Sequence, residues 1–227
     1  MSAALARGIW RVRYILTALI IIGALAFAPG VGRTTIDNDL TSWFSTDDPI
    51  YQQYERFRDE FGGTRTLIVA IKAPSRERLL SDDAFAFIDK VSGDIERIET
   101  VERVNSLSTA TIVDALPARG DDDGGIEVRP LIDDVAEKGA AATGARALGD
   151  SLLRGDLISE DGTVAAIIVS FDERRIDDVR AGVIDAIHGI VDPALPEGFE
   201  AYYNGSLEIS ETYNRITVQN QTRFTPP

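Results

Sequence analysis

The sequence predicts an α+β protein: one N-terminal transmembrane helix, then a ferredoxin-like, split βαβ sandwich that carries a helical insertion. Three observations lead there. The stretch YILTALIIIGALAFAPGVG from Tyr14 to Gly32 holds no charged side chain over 19 residues, close to the ~20 apolar residues that a helix needs to cross ~30 Å of hydrocarbon. Two β-branched apolar runs, Thr66 to Ile71 and Thr163 to Phe171, read as core strands. Each is followed by apolar residues at helical spacing and then by a further short strand. Strand–helix–strand thus occurs twice, and two such units folded onto one sheet place both helices on one face.

Charge orients the first element. Arg7, Arg11 and Arg13 precede the apolar run, no Asp or Glu occurs before Asp37, and Asp37, Asp39, Asp47 and Asp48 follow. The positive-inside rule then places the N-terminus in the cytoplasm and the main domain outside, on the periplasmic side of an inner cell membrane. A cleaved signal ending at Ala26-Phe27-Ala28 is the competing reading. Pro29 directly after that cut and an apolar run that continues through Val31 favour an uncleaved anchor. The expected divisions are residues 1–32 for the start and span, 33–63 for a linker helix region, 64–206 for the sandwich, and 207–227 for a last helix.

Asp48-Pro49 supplies an N-cap and a first-turn proline, and Ile50, Tyr54, Phe57 and Phe61 repeat at helical spacing until Gly62-Gly63. After the strand at 66–71, Ser81-Asp82-Asp83 can cap a helix whose apolar positions are Phe85, Ile88, Val91, Ile95 and Ile98. Val101, Val104 and Leu107 suggest the second strand. Residues 117–130, PARGDDDGGIEVRP, have the Gly, Pro and Asp content of a loop. Leu131 to Leu153 is Ala-rich and reads as helix, weakened at Gly139, Gly144 and Gly149 by ~1 kcal/mol each. This makes about 110–155 an insertion. Ser159-Glu160-Asp161-Gly162 has hairpin-turn chemistry between Leu157-Ile158 and the strand from Thr163. Ile176, Val179, Val183, Ile187 and Ile190 mark the second helix, Phe199 to Asn204 the last strand, and Leu207 to about Thr222 a polar helix.

Composition removes whole classes of function. The chain of 227 residues has 37 Asp+Glu against 23 Lys+Arg, a net charge of −14. Setting aside the three leading arginines leaves 20 against 37, or −17, for the remainder. Nucleic acid, which is held by neutralising phosphates, is excluded as a partner. The absence of cysteine excludes disulfides, thiol nucleophiles and Cys-based metal centres, and a single His188 cannot build a His-rich one. No G-x-G-x-x-G or G-x-x-x-x-G-K-S/T follows a strand.

The remaining constellations are weak. Asp121-Asp122-Asp123-Gly124-Gly125 has hard oxygen donors, but Gly125 stands where an EF-hand needs an acceptor and Glu127 comes too early, so a solvated acidic loop is the better reading. His188, between Ile187 and Ile190, reads as a boundary histidine. An acylphosphatase-like anion loop would rest on Lys72-Ala73-Pro74-Ser75-Arg76, where Pro74 removes a backbone donor. Asn204-Gly205-Ser206 and Asn220-Gln221-Thr222 match the glycosylation sequon and are assigned no role. Phe85, Phe199, Tyr202 and Tyr203 could line a hydrophobic cleft but are read as core. No catalytic, cofactor-binding or metal residue is assigned, and no enzyme activity is expected.

The order of these features carries a resemblance. A short basic start, one span, Asn38-Asp39-Leu40 beyond it, a helix with Asp48-Pro49-Ile50-Tyr51 that ends in Phe61-Gly62, the strand Leu67-Ile68-Val69, then Val101, Val104 and Ser106-Leu107, and Gly205-Ser206 before the last helix resemble the N-terminal portion of a resistance-nodulation-division (RND) exporter of the MMPL, hydrophobe-exporter-like branch. The resemblance implies a porter-type domain and proton-driven export of lipids or other hydrophobic cargo. It also implies the remaining transporter domains as partners, with a possible homo-oligomer. The chain would supply the first span and first porter domain, could not transport alone, and would have its last helix lead to a second span. The alternative is a single-pass anchored envelope protein whose external domain binds a partner or senses the envelope.

Overall fold

A computed structural model describes residues 13–26, 45, 47–61, 65–116, 125–176 and 179–224. The chain divides into two units, Met1–Asn38 and Asp39–Pro227. In the first, residues 13–26 form helix α1. Its 14 described residues rise ~21 Å at 1.5 Å each, short of the ~30 Å of a bilayer core. Among the described residues no helix is long and apolar enough to cross a membrane.

The expected fold, a transmembrane helix followed by a ferredoxin-like porter domain, is therefore corrected to an α+β architecture with two antiparallel sheets. The membrane, transporter, exporter and lipid-transport assignments that depended on the span lose their support with it. The apolar run predicted over 14–32 is helical as far as residue 26, and its remainder lies outside the described residues.

In the second unit, α2 (Pro49–Phe61) begins where the Asp48 carboxylate accepts from the Ile50 amide at 2.7 Å. Its expected apolar face is only partly inward. Ile50 and Phe57 are exposed, whereas the Tyr54 hydroxyl donates to Glu173 at 3.1 Å.

The main sheet contains β1 (Thr66–Lys72), β2 (Val101–Asn105), β5 (Val164–Phe171) and β6 (Glu200–Asn204), in the order β2-β5-β1-β6. All its pairings are antiparallel. Strands β1 and β2 flank β5, so the helix between them, α4 (Asp82–Glu96), crosses over a strand that arrives later in the chain. Both central strands alternate. Leu67, Val69 and Ile71 on β1 and Ala165, Ile167, Val169 and Phe171 on β5 point to one buried face, while the intervening residues are half-buried.

Helix α4 covers that face with Phe85, Ile88, Val91 and Ile95, all buried, and starts where the Ser81 hydroxyl accepts from the Ala84 amide. Helix α8 (Arg180–Val191) adds Val183, Ile184, Ile187 and Val191. It starts after Val179, which is exposed rather than part of the apolar stripe, and Ile176 belongs to the separate turn α7 (Glu173–Ile176). Between α4 and β2, the buried hydroxyls of Ser92, Ser106 and Ser108 satisfy one another at 2.9 and 3.0 Å.

The insertion differs most from expectation. Residues 125–130 are a strand, β4 (Gly125–Pro130), paired with β3 (Thr111–Leu116) in a second, two-stranded sheet. The single helix expected over 131–153 is two, α5 (Asp133–Lys138) and α6 (Ala140–Gly149), separated at Gly139, whose φ of 84° favours glycine. Gly144 has a packing role: a Cβ there would meet Leu80 Cδ2 at 2.4 Å, so its absence lets α6 lie against the short helix α3 (Arg76–Leu79) and its cap. The turn at Ser159–Gly162 precedes β5 as expected, with Asp161 accepting from the Thr163 amide at 3.0 Å.

Candidate functional site

After β6 the chain turns at Gly205 into α9 (Ser206–Phe224). Gly205 has φ 116°, and a Cβ there would stand 2.5 Å from the Thr66 carbonyl oxygen. Only glycine lets the chain reverse this close to β1. The Ser206 hydroxyl accepts from the Thr66 amide at 3.0 Å, and Leu207 is fully buried. The first turn of α9 is thus fixed to the sheet.

Beyond that turn the outward face is apolar. Ile209, Tyr213 and Ile216 are exposed on α9, at the 4- and 3-residue spacing that puts side chains on one face, whereas Tyr202, also exposed, sits on the face of β6 opposite Tyr203. Tyr203, Asn204, Glu208, Ile209, Thr212, Tyr213 and Ile216 line an open groove of about 360 Å³ along the β6–α9 junction.

Polar groups gather at one end of it. The His188 ring, on α8, stacks on Tyr203 with centroids 3.6 Å apart and planes at 18°. The Tyr203 hydroxyl donates to Asp192 at 2.5 Å, and the Tyr202 hydroxyl donates to Glu200 at 2.7 Å. Burial, followed by the Asp192 hydrogen bond and the Asp192 and Glu208 charges, raises the Tyr203 phenol well above its ordinary value. The Glu200 hydrogen bond raises Tyr202 as well. His188 Nδ1 lies 3.8 Å from Asp192, and Nε2 lies 3.9 Å from Glu208 Oε2. These exceed hydrogen-bond length, and both Nε2 and Oε2 are buried without a hydrogen-bond partner. Glu208 Oε1 accepts from the Thr212 hydroxyl at 3.4 Å.

This is an aromatic and aliphatic groove with one carboxylate in its wall, not a nucleophile–base pair. The Thr212 hydroxyl bonds Glu208 rather than the imidazole. Among the described residues no three His, Asp or Glu side chains converge to hold a metal ion.

Other residues considered from the sequence scatter. Phe85 and Phe199 are core, as expected, but Tyr202 is exposed and half-buried Tyr203 lines the groove. Lys72 ends β1 and pairs with Glu200 at 3.7 Å, while Arg76 opens α3 behind its Ser75 cap; no anion nest forms between them. Asn204 accepts from the Gly205 amide at 2.7 Å and lines the groove, whereas Asn220 is exposed on α9. Asp121–Gly124 lie outside the described residues. The apolar face of α9 was missed because its helix is polar on average. The spacing of Ile209, Tyr213 and Ile216 is the signal that could have revealed it.

Comparison with protein-family models and with curated protein sequences finds no match for this chain.

Proposed function

We propose that the unit from Asp39 to Pro227 is a non-catalytic interaction domain that docks onto another protein domain through the β6–α9 face. The observation that carries this is the exposure of Ile209, Tyr213 and Ile216 along one groove, on a helix whose first turn is rigidly seated. Exposed apolar side chains scattered singly need no explanation, but a stripe on one helix face next to a tyrosine-lined groove favours a partner. A self-contained envelope sensor leads instead to a patch-free surface. The docking face does not depend on a membrane span.

The natural absence of cysteine makes the test clean. Tyr213→Cys and, away from the face, Leu152→Cys are expressed singly in the source cell and treated with a maleimide. Protection of position 213 by at least tenfold in cell extract relative to purified protein, with no protection at 152, is the expected result. Equal labelling rates at 213 in extract and in purified protein overturn the proposal.

A further inference from the structure

We infer that the partner segment seated on the β6–α9 groove is basic and amphipathic, with an apolar stripe against Ile209, Tyr213 and Ile216 and a lysine or arginine directed at Glu208. This rests on the docking reading above and specifies its chemistry. Three observations point to it.

The groove carries no cation in its lining, and its one formally charged lining residue is the Glu208 carboxylate. Of the nearby cations, Lys72 pairs with Glu200 at 3.7 Å and Arg180 lies 3.6 Å from Glu211, while Arg215 stays at the groove's edge, its guanidinium donating to the Thr212 hydroxyl at 3.3 Å. Glu208 Oε2 is buried against His188 Nε2 at 3.9 Å, and Oε1, which accepts from the Thr212 hydroxyl at 3.4 Å, is the oxygen a partner's cation would meet. A carboxylate so weakly satisfied beside apolar surface gains most from a cation that brings its own donors. Exposed Tyr213 adds an aromatic ring, and ring faces favour a cation over an anion.

The groove is open along the helix rather than enclosed, a shape that fits an extended or helical segment. Across the whole chain a net charge of −14 repels an acidic partner and steers a basic one.

The test measures fluorescence anisotropy of the full chain with two labelled helical peptides. They share leucines at the same i, i+3 and i+4 positions and differ in having lysine or glutamate at the flanking positions. The lysine peptide is expected to bind, with Glu208→Gln weakening it about tenfold and Ile209→Ser with Tyr213→Ser weakening it at least about thirtyfold. The glutamate peptide is expected not to bind. Non-specific attraction to an acidic protein is separated by the Glu208→Gln result, because removing one of 37 acids barely alters the overall field.

Equal binding of both peptides, or no effect of Glu208→Gln while the Ile209/Tyr213 changes still abolish binding, overturns the charge assignment and leaves the docking face standing. Binding of neither peptide, or binding indifferent to Ile209 and Tyr213, overturns the docking face itself. Circular dichroism and thermal melting of each variant confirm that the fold is retained.

Discussion

The main sheet and the β3–β4 ribbon are both antiparallel, yet they are built inside out with respect to one another. On the main sheet the inward face is Leu67, Val69, Ile71, Ala165, Ile167, Val169 and Phe171, packed on α4 and α8. On the ribbon, Val113 pairs with Val128 and Ala115 with Ile126, and the exposed side chains of that face are Val113, Ile126 and Val128. The ribbon's inward face adds an ionic cluster beside a single buried aliphatic, Ile112. Arg129 reaches Asp134 at 2.5 Å and Asp114 at 3.4 Å, Arg146 reaches Asp134 at 3.1 Å and also bonds Asp114, and Lys138 reaches Asp134 at 3.0 Å. The Asp134 side chain is wholly inaccessible to solvent.

One region is held by area removed from water, which is indifferent to direction, and the other by charge-assisted hydrogen bonds, which fix orientation. The lesson is that strand pairing alone does not say where a sheet's stability resides.

The largest contrast lies in the core. Ile167→Ala removes buried methylenes from the centre of β5 and leaves a cavity, so we expect a loss of about 3 kcal/mol. Urea denaturation of wild type and variant checks it, and a change below ~1 kcal/mol would break the claim that this face carries the fold. Next in size, Asp134→Ala strips the common partner from Arg129, Arg146 and Lys138. Removing one member of a buried ionic group costs about 3–5 kcal/mol. Because these three cations are partly exposed and can rehydrate, about 2 kcal/mol is expected here. Hydrogen exchange should show the loss concentrated in β3, β4 and α5, with β1 and β5 still protected.

Acid should separate the regions more gently. Asp134 is pushed up by burial but more than offset by hydrogen bonds from Lys138 and Arg129 and by their charges, so its pKa lies below the ordinary carboxylate value. The Arg146 hydrogen bond lowers Asp114 likewise. A carboxylate with a depressed folded-state pKa binds more protons unfolded than folded. Its stabilisation is therefore fully present above the unfolded value of ~3.9 and is lost as pH falls through the folded value. The ribbon amides should lose exchange protection below about pH 4 before the amides of β1 and β5 do. Simultaneous loss in both sheets would remove the distinction.

The same contrast decides what was legible in the sequence. Periodicity 2 in β1 and β5 and periodicity 3.6 in α4 report apolar burial, so the central strands, Ser81 at the head of α4 and the turn at 159–162 were readable. The ribbon was not, because an inverted strand with Glu127 and Arg129 alternating against Ile126 and Val128 lies between Gly125 and Pro130 and reads as loop chemistry. Lys138 stands at i+4 from Asp134, but Arg129 and Arg146, which Asp134 shares with Asp114, are spaced without a pattern. Gly139 reads from the sequence only as a weak helix residue, whereas its positive φ divides α5 from α6. The apolar run after Tyr14 suggests a span because hydropathy alone measures composition; among the described residues its helix covers 13–26. For the candidate site, Tyr202 and Tyr203 were identified as aromatic residues of a last strand, but their opposite environments depend on α9 packing beside only one of them.

The smallest effect is also the most discriminating. Val128→Thr changes one methyl to a hydroxyl on the ribbon's exposed face, cross-strand from Val113, and leaves the ionic face untouched. Threonine retains β-branching and strand propensity. If the ribbon is anchored from beneath by Asp114, Arg129, Asp134 and Arg146, stability should change by less than ~0.5 kcal/mol, as for an ordinary surface position. The corresponding change on the main sheet, Val169→Thr, buries a hydroxyl among apolar neighbours and should cost about 1–3 kcal/mol. Thermal melts of the two variants side by side check the pair. Equal losses would mean that Val128 packs like a core residue and that the ribbon is not held from its ionic side.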